Sequence, residues 1–207
     1  MLYGAKSQLR ELDGGSRRGQ SIDAMKTRIG DVEIELVRGD ITRQEGIDAV
    51  VNAANAQLLP GGGVAGAIHR AAGPQLAEEC RKYAPIRPGE AVITGAYNLP
   101  NRYVIHCLGP RYGIDRPEEE LLARCYRNAL WLAEEKGLES VAFPAISTGA
   151  FGYPVEEAAR VALRTVWEMA PTLRQVKRVR FVLYRPTDEE VHRRILEQLG
   201  GSGGGGA

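Results

Sequence analysis

The sequence predicts one α/β domain with a central mixed, mostly parallel sheet covered by helices on both faces, a three-layer α/β/α sandwich. Two observations predict it. Short β-branched runs alternate with longer segments of helical period between residues 26 and 199, and each run is bounded by Gly, Pro, Asn or Asp. Strands are expected over residues 32–37, 49–52, 91–96, 103–107, 140–144 and 178–184, where Val, Ile, Tyr and Phe gather in short stretches. Helices are expected over 63–72, 74–83, 117–136, 154–169 and 187–199. Pro74, Pro117 and Pro154 suit a first helical turn, Gly137 suits a stop, and Thr187 with Glu190 has the spacing of a capping box. Leu121, Leu122, Cys125, Ala129, Leu132 and Ala133 give the third helix one apolar stripe.

Composition bounds the function. The 207 residues are 43% hydrophobic and carry 27 basic against 26 acidic side chains, and Lys6, Arg10, Arg17 and Arg18 against Glu11, Asp13 and Asp23 account for the excess. The folded part is neutral, which argues against general binding to a nucleic-acid backbone but leaves room for a local anion site. No apolar run approaches the ~20 residues that cross a bilayer, and the start MLYGAKSQLR lacks the apolar stretch of a secretory signal. A cytoplasmic protein without a membrane partner is expected. Cys80, Cys107 and Cys125 are odd in number and set among apolar neighbours, which favours buried reduced thiols. Residues 1–25 read as a flexible extension, tag or partner-binding arm, and 200–207 (GGSGGGGA) as a linker-like tail.

In a parallel sheet, ligands sit beyond the carboxyl ends of strands. That rule selects the loops starting at Arg38, Asn52, Ala145 and Tyr184. The densest is VNAANAQLLPGGGVAGAIHRAAG, where Asn52 and Asn55 precede Gly61, Gly62 and Gly63 at the mouth of an Ala-rich helix. Their N–H groups, with those of Val64 and Ala65, can converge on one anion at the positive helix end. Ala145-Ile146-Ser147-Thr148-Gly149-Ala150-Phe151-Gly152-Tyr153-Pro154 repeats the strand, loop and helix arrangement, so a diphosphate held from both sides is the natural guest. Asp40 either accepts an exocyclic amine or caps its own turn, and Tyr184 either stacks on a base or packs with a wet hydroxyl.

Other chemistries fit poorly. Gly61, Gly63 and Gly66 match G-x-G-x-x-G, but eight residues separate Asn52 from Gly61 and no acidic residue follows at the distance a dinucleotide fold needs. G-x-x-x-x-G-K-[ST] is absent, and Ser147 is not in G-x-S-x-G. His69, His106, Cys80 and Cys107 match no common ligand spacing, so neither a metal nor a cofactor is expected.

At these positions the chain resembles the macrodomain family. The carriers are Val37-x-Gly39-Asp40-Ile41-Thr42, Val51-Asn52-Ala53-Ala54-Asn55, Gly61-Gly62-Gly63-Val64 through Ile68-His69-Arg70-Ala71-Ala72-Gly73, Tyr103-Val104-Ile105-His106 with Gly109-Pro110, and Phe143-Pro144-Ala145-Ile146-Ser147-Thr148-Gly149 with Phe151-Gly152-Tyr153-Pro154. The resemblance implies a domain that binds ADP-ribose, free, as O-acetyl-ADP-ribose, or attached to macromolecules. It assigns the adenine 6-amino group to Asp40 with a backbone contact from Ile41, and a flanking position to Tyr184. The diphosphate and distal ribose fall to Gly61, Gly62, Gly63 and Val64 on one side and Ser147, Thr148, Gly149, Ala150 and Phe151 on the other. Asn52 joins the ligand-binding set, and Asn55, hydrogen-bonded to the distal ribose, is the candidate catalytic residue.

One departure bears on turnover. Many hydrolases that this chain resembles read Gly-Val-Asp-Gly where it reads Gly63-Val64-Ala65-Gly66. General-base help worth ~10²–10⁴-fold is then missing unless the substrate phosphate supplies it. The resemblance therefore leaves open a slow hydrolase of mono-ADP-ribosyl esters or O-acetyl-ADP-ribose and a non-catalytic reader. A dinucleotide-dependent oxidoreductase is the remote third reading.

Overall fold

Strand β1 (Met25–Ile29) opens the fold in a computed structural model that describes residues 24–201. It is absent from the expected elements, because its alternation is brief and lies at a sheet edge. The two-residue turn Gly30-Asp31 returns it antiparallel onto β2 (Val32–Arg38), with Ile29 opposite Val32. There follow β3 (Ala49–Ala53), α1 (Gly63–Ala72), α2 (Pro74–Cys80), β4 (Ala91–Gly95), β5 (Tyr103–Cys107), α3 (Glu118–Glu135), β6 (Ser140–Phe143), α4 (Val155–Met169), a 3₁₀ turn (Ala170–Thr172), β7 (Arg178–Leu183) and α5 (Pro186–Gly201). The extension read at residues 1–25 and the tail read at 200–207 lie almost wholly outside the described residues; Met25 starts β1, and Gly200 and Gly201 close α5.

Several boundaries move for identifiable reasons. Helix α2 stops at Cys80 rather than at 83, where the Tyr83 and Ala84 N–H groups both turn back to the Cys80 carbonyl ahead of Pro85. Pro117 and Pro154 stand outside their helices as N-caps with extended ψ of 123 and 131°. Helix α5 begins at Pro186, so Thr187 lies inside the first turn and no Thr187–Glu190 capping box forms. Strand β6 ends before Pro144, which has no N–H for a ladder.

The sheet order is β1-β2-β7-β6-β3-β5-β4. The five inner strands run parallel and the two edge strands are antiparallel to their neighbours. Alternation along each strand feeds two cores. Ala49, Val51, Ile105, Cys107, Val179 and Phe181 pack with α3, α4 and α5, while Val50, Val104, Ala142 and Val182 pack with α1, α2 and the loop after β2. The first core is built around Tyr126, Phe143 and Phe181, whose ring centroids stand 5.0, 5.8 and 6.2 Å apart. All three cysteines are free and buried. Among the described residues no helix is long and apolar enough to cross a membrane.

The second core holds a polar inclusion. The Asn52 amide donates to Nδ1 of His106 at 3.1 Å, which leaves the ring proton on Nε2, 2.9 Å from Thr94 Oγ1; that hydroxyl passes its own proton to the Gly95 carbonyl at 3.0 Å. Burial drives the His106 pKa down to about 3, with the neighbouring His69 lowering it further. Burial also lowers His69 and His192. The unfolded chain takes up protons near pH 6.5 that the folded chain refuses, so these groups favour the fold above that pH and oppose it as pH falls. His106 alone is expected to remove about 1.4 kcal/mol per pH unit between about pH 6 and its folded pKa of about 3. Urea unfolding at successive pH values checks this, and His106→Gln should flatten the slope.

Candidate functional site

The topology makes neighbours of the loops that carry chemistry. Strands β2, β7, β6 and β3 are adjacent and parallel, so all four carboxyl ends emerge at one edge. In spatial order that edge presents Asp40 and Ile41, then Tyr184, then Ser147 to Phe151, then Asn55 with Gly61 to Val64. At about 4.8 Å per strand the row spans about 14 Å, the reach of an elongated ligand laid across the strand ends.

At the β2 end, Asp40 is exposed. Its Oδ1 accepts the Thr42 N–H at 2.8 Å and the Thr42 hydroxyl at 2.7 Å, so the turn-capping reading of Asp40 is realised in one carboxylate oxygen. Oδ2 makes no hydrogen bond to a described residue. Gly39 N–H donates to the Leu183 carbonyl at 3.1 Å, which ties this loop to the end of β7. One residue further, Tyr184 stands 83% exposed outside the strand that was expected to contain it.

At the β3 end, the Asn55 amide closes its own loop. Its Nδ2 donates to the Leu59 carbonyl at 2.7 Å and its Oδ1 accepts the Leu59 N–H at 3.0 Å, leaving one N–H and one lone pair for a ligand. The loop leads into α1, which starts with no side-chain cap and no acidic residue in its first turn. The first-turn N–H groups are therefore free of competitors at the positive helix end. Gly63 adopts φ of 55°, a left-handed conformation that costs an L side chain about 1–2 kcal/mol. Asn52 parts from this group, because its side chain is buried against His106 beneath α1.

The β6 loop bends sharply at Ser147, which has φ of 67°. Tyr153 N–H returns to the Ser147 carbonyl at 2.9 Å and Gly152 N–H to the Gly149 carbonyl at 3.0 Å. The N–H groups of Thr148, Gly149, Ala150 and Phe151 bond to no described residue and are available to an anion. Helix α4 behind them carries Glu156 and Glu157 in its first turn, so this second cradle is the loop rather than the helix end. The Ser147 hydroxyl is buried and bonds to no described residue.

The loop after β5, which the family resemblance marks at Gly109-Pro110, received no ligand role from the sequence, although β5 is also parallel and ends at the same edge. Tyr112 N–H donates to the Phe151 carbonyl at 2.8 Å, and the Tyr112 and Tyr153 rings lie 4.9 Å apart, so this loop braces the β6 loop. Gly109 is where the two touch: a Cβ there would stand 2.1 Å from Ser147 Oγ and 2.7 Å from Ile146 Cγ2. Gly109→Ala is expected to cost about 1–3 kcal/mol of stability and to weaken anion binding by displacing Ser147. Thermal melts with and without ligand separate the two effects. The strand-end rule applied to all five parallel strands would have selected this segment.

No group of His, Cys, Asp and Glu among the described residues is arranged to hold a metal ion. Fold and loops together define an α/β/α domain whose glycine-rich and asparagine-bearing loops lie side by side at the ends of its parallel strands. The chain belongs to the Macro domain family, whose model matches residues 51–162. It is 50% identical over 166 residues to Macro domain-containing protein CT2219 of Chlorobaculum tepidum, covering 80% of this chain and 96% of that one. It is 48% identical over 170 residues to the O-acetyl-ADP-ribose deacetylase of Klebsiella pneumoniae, covering 80% and 97%. Among solved structures it is similar to the Oceanobacillus iheyensis macrodomain with ADP, at 42% identity and a TM-score of 0.83, over 87% of this chain and 98% of that one.

Proposed function

We propose that the macrodomain formed by residues 26–199 binds ADP-ribose lengthwise along the strand ends. Adenine lies at Asp40, Ile41 and Tyr184, the diphosphate lies between the Gly61–Val64 and Ser147–Phe151 loops, and the distal ribose lies at Asn55. The observation that carries this reading is the order of the four loops along adjacent strands. It matches base, phosphates and ribose in sequence over about 14 Å. The similarity to a macrodomain structure holding ADP supports the adenine and diphosphate positions. The neutral domain gives no reason for general nucleic-acid binding, and three buried free thiols suit a reducing, cytoplasmic setting.

At the same strand ends we place slow hydrolysis of O-acetyl-ADP-ribose, or of ADP-ribose esters on macromolecules, supported by the similarity to an O-acetyl-ADP-ribose deacetylase. Water attacks, acetate or the acidic side chain leaves, and Asn55 holds the distal ribose. One observation favours a second reading, a reader without turnover. Ala65 in the first turn of α1 offers no acceptor for the water proton. A calorimetric titration with ADP-ribose tests binding, and a single-turnover assay with enzyme in excess tests catalysis. Saturable binding with product release supports the hydrolase, binding without release supports the reader, and no binding overturns both.

A further inference from the structure

Gln44, in the loop after β2, is buried and held at both ends of its side-chain amide. Arg180 Nη1 donates to its Oε1 at 3.0 Å, and its Nε2 donates to the Asp40 carbonyl at 2.7 Å. Arginine has only donors, so the contact with Arg180 settles which amide atom is the oxygen and turns the nitrogen toward Asp40. Arg180 is fixed in turn by Glu35, whose Oε2 accepts its Nε at 2.7 Å and which is only 1% exposed. Lys26 and Arg178 stand 3.4 and 3.9 Å from the same carboxylate, so this buried charge is held on three sides.

The chain of contacts ends on the peptide that joins Asp40 to Ile41. The Asp40 carbonyl accepts both Gln44 Nε2 and the Arg43 N–H, the latter at 3.0 Å. A planar trans peptide sets its N–H opposite its C=O, so drawing the carbonyl inward turns the Ile41 N–H the other way. That N–H bonds to no described residue. With Thr42 pinning Oδ1 of Asp40, both the carboxylate and the neighbouring N–H are aimed before any ligand arrives.

We infer that Gln44, anchored by Arg180 and Glu35, is a positioning residue for base selection, holding the Asp40–Ile41 peptide so that an amine donor and a ring-nitrogen acceptor are read together. The inference rests on the reading of Asp40 and Ile41 as the adenine contacts. An adenine presents that donor and acceptor pair, whereas a hypoxanthine presents the reverse at both atoms. Preorganisation of this kind acts on the choice between the two bases, while a general loss of stability lowers both affinities alike.

The test is calorimetric affinity for ADP-ribose and for its hypoxanthine counterpart, measured on the full chain as parent, Asp40→Ala, Gln44→Glu and Gln44→Met. Glutamate keeps the partner of Arg180 but sets an oxygen against the Asp40 carbonyl; methionine keeps the length without either bond. The parent is expected to prefer ADP-ribose by about 10–100-fold. Asp40→Ala and both Gln44 variants should cut that preference about tenfold and leave affinity for the hypoxanthine ligand within about twofold. If Asp40→Ala loses the preference and the Gln44 variants keep it, the role of Gln44 is overturned. A fall in both affinities by the same factor in the Gln44 variants also overturns it, in favour of a purely structural contact. Retention of the preference by Asp40→Ala overturns the underlying adenine assignment instead.

Discussion

Ala65→Asp is expected to raise the rate of ADP-ribose release in a single turnover by about 10²–10⁴-fold, the usual worth of a placed general base. Position 65 lies in the first turn of α1, beside the glycines proposed to hold the phosphates. One helical turn on, at i+4, His69 is buried with neither ring nitrogen hydrogen-bonded to a described residue. A carboxylate at 65 would stand one turn from that imidazole, in the helix turn next to the glycines proposed to hold the phosphates. It would also sit favourably at the positive helix end. An unchanged rate in a variant that still binds ADP-ribose would show that the water is activated elsewhere, with the substrate phosphate as the leading candidate. Release by the parent that is lost in Asn55→Ala would establish turnover without the aspartate.

The second large effect is expected from Gly63→Glu, which should weaken ADP-ribose binding by at least about 100-fold, equivalent to about 2.7 kcal/mol. Two causes add. The φ of 55° at this position is strained for any L side chain, and the new carboxylate would stand at the helix end where the diphosphate is proposed, so like charges replace an anion and a positive dipole. A Cβ at this position meets no atom within 4 Å, so the melting temperature should report only the backbone strain of about 1–2 kcal/mol, while the charge repulsion appears in the affinity. Calorimetry beside a thermal melt of the unliganded protein separates them. Binding retained within a few fold would displace the phosphate from α1.

The residues that were legible in the sequence share a property: their signal is local. Val50 and Val51 point to opposite cores because side chains alternate along any strand. Gly61-Gly62-Gly63 before an Ala-rich helix announces close backbone approach wherever the helix lies. Strand β1 was missed because five residues with polar positions between Met25, Thr27 and Ile29 gain strand identity only from pairing with β2. The anchoring of Gln44, and the packing of Gly109 that lies behind its place in the family motif, were not legible for a related reason. Gln44 is defined by Arg180, 136 residues away, and Gly109 by Ser147; neither pairing leaves a trace in the spacing of its own segment.

By itself the sequence determined the α/β class, the neutral folded part, the family and the loops rich in glycine and asparagine, because periodicity, turn chemistry and motif order are properties of contiguous residues. Tertiary structure decided the rest. It placed the loops after β2, β7, β6 and β3 side by side although the chain visits them in a different order, turned the Asn52 side chain onto His106, and linked Gln44 to Glu35 through Arg180. Strand order and long-range polar pairing are settled by which faces bury together and which buried donors find acceptors, and those are conditions on the whole chain rather than on any stretch of it.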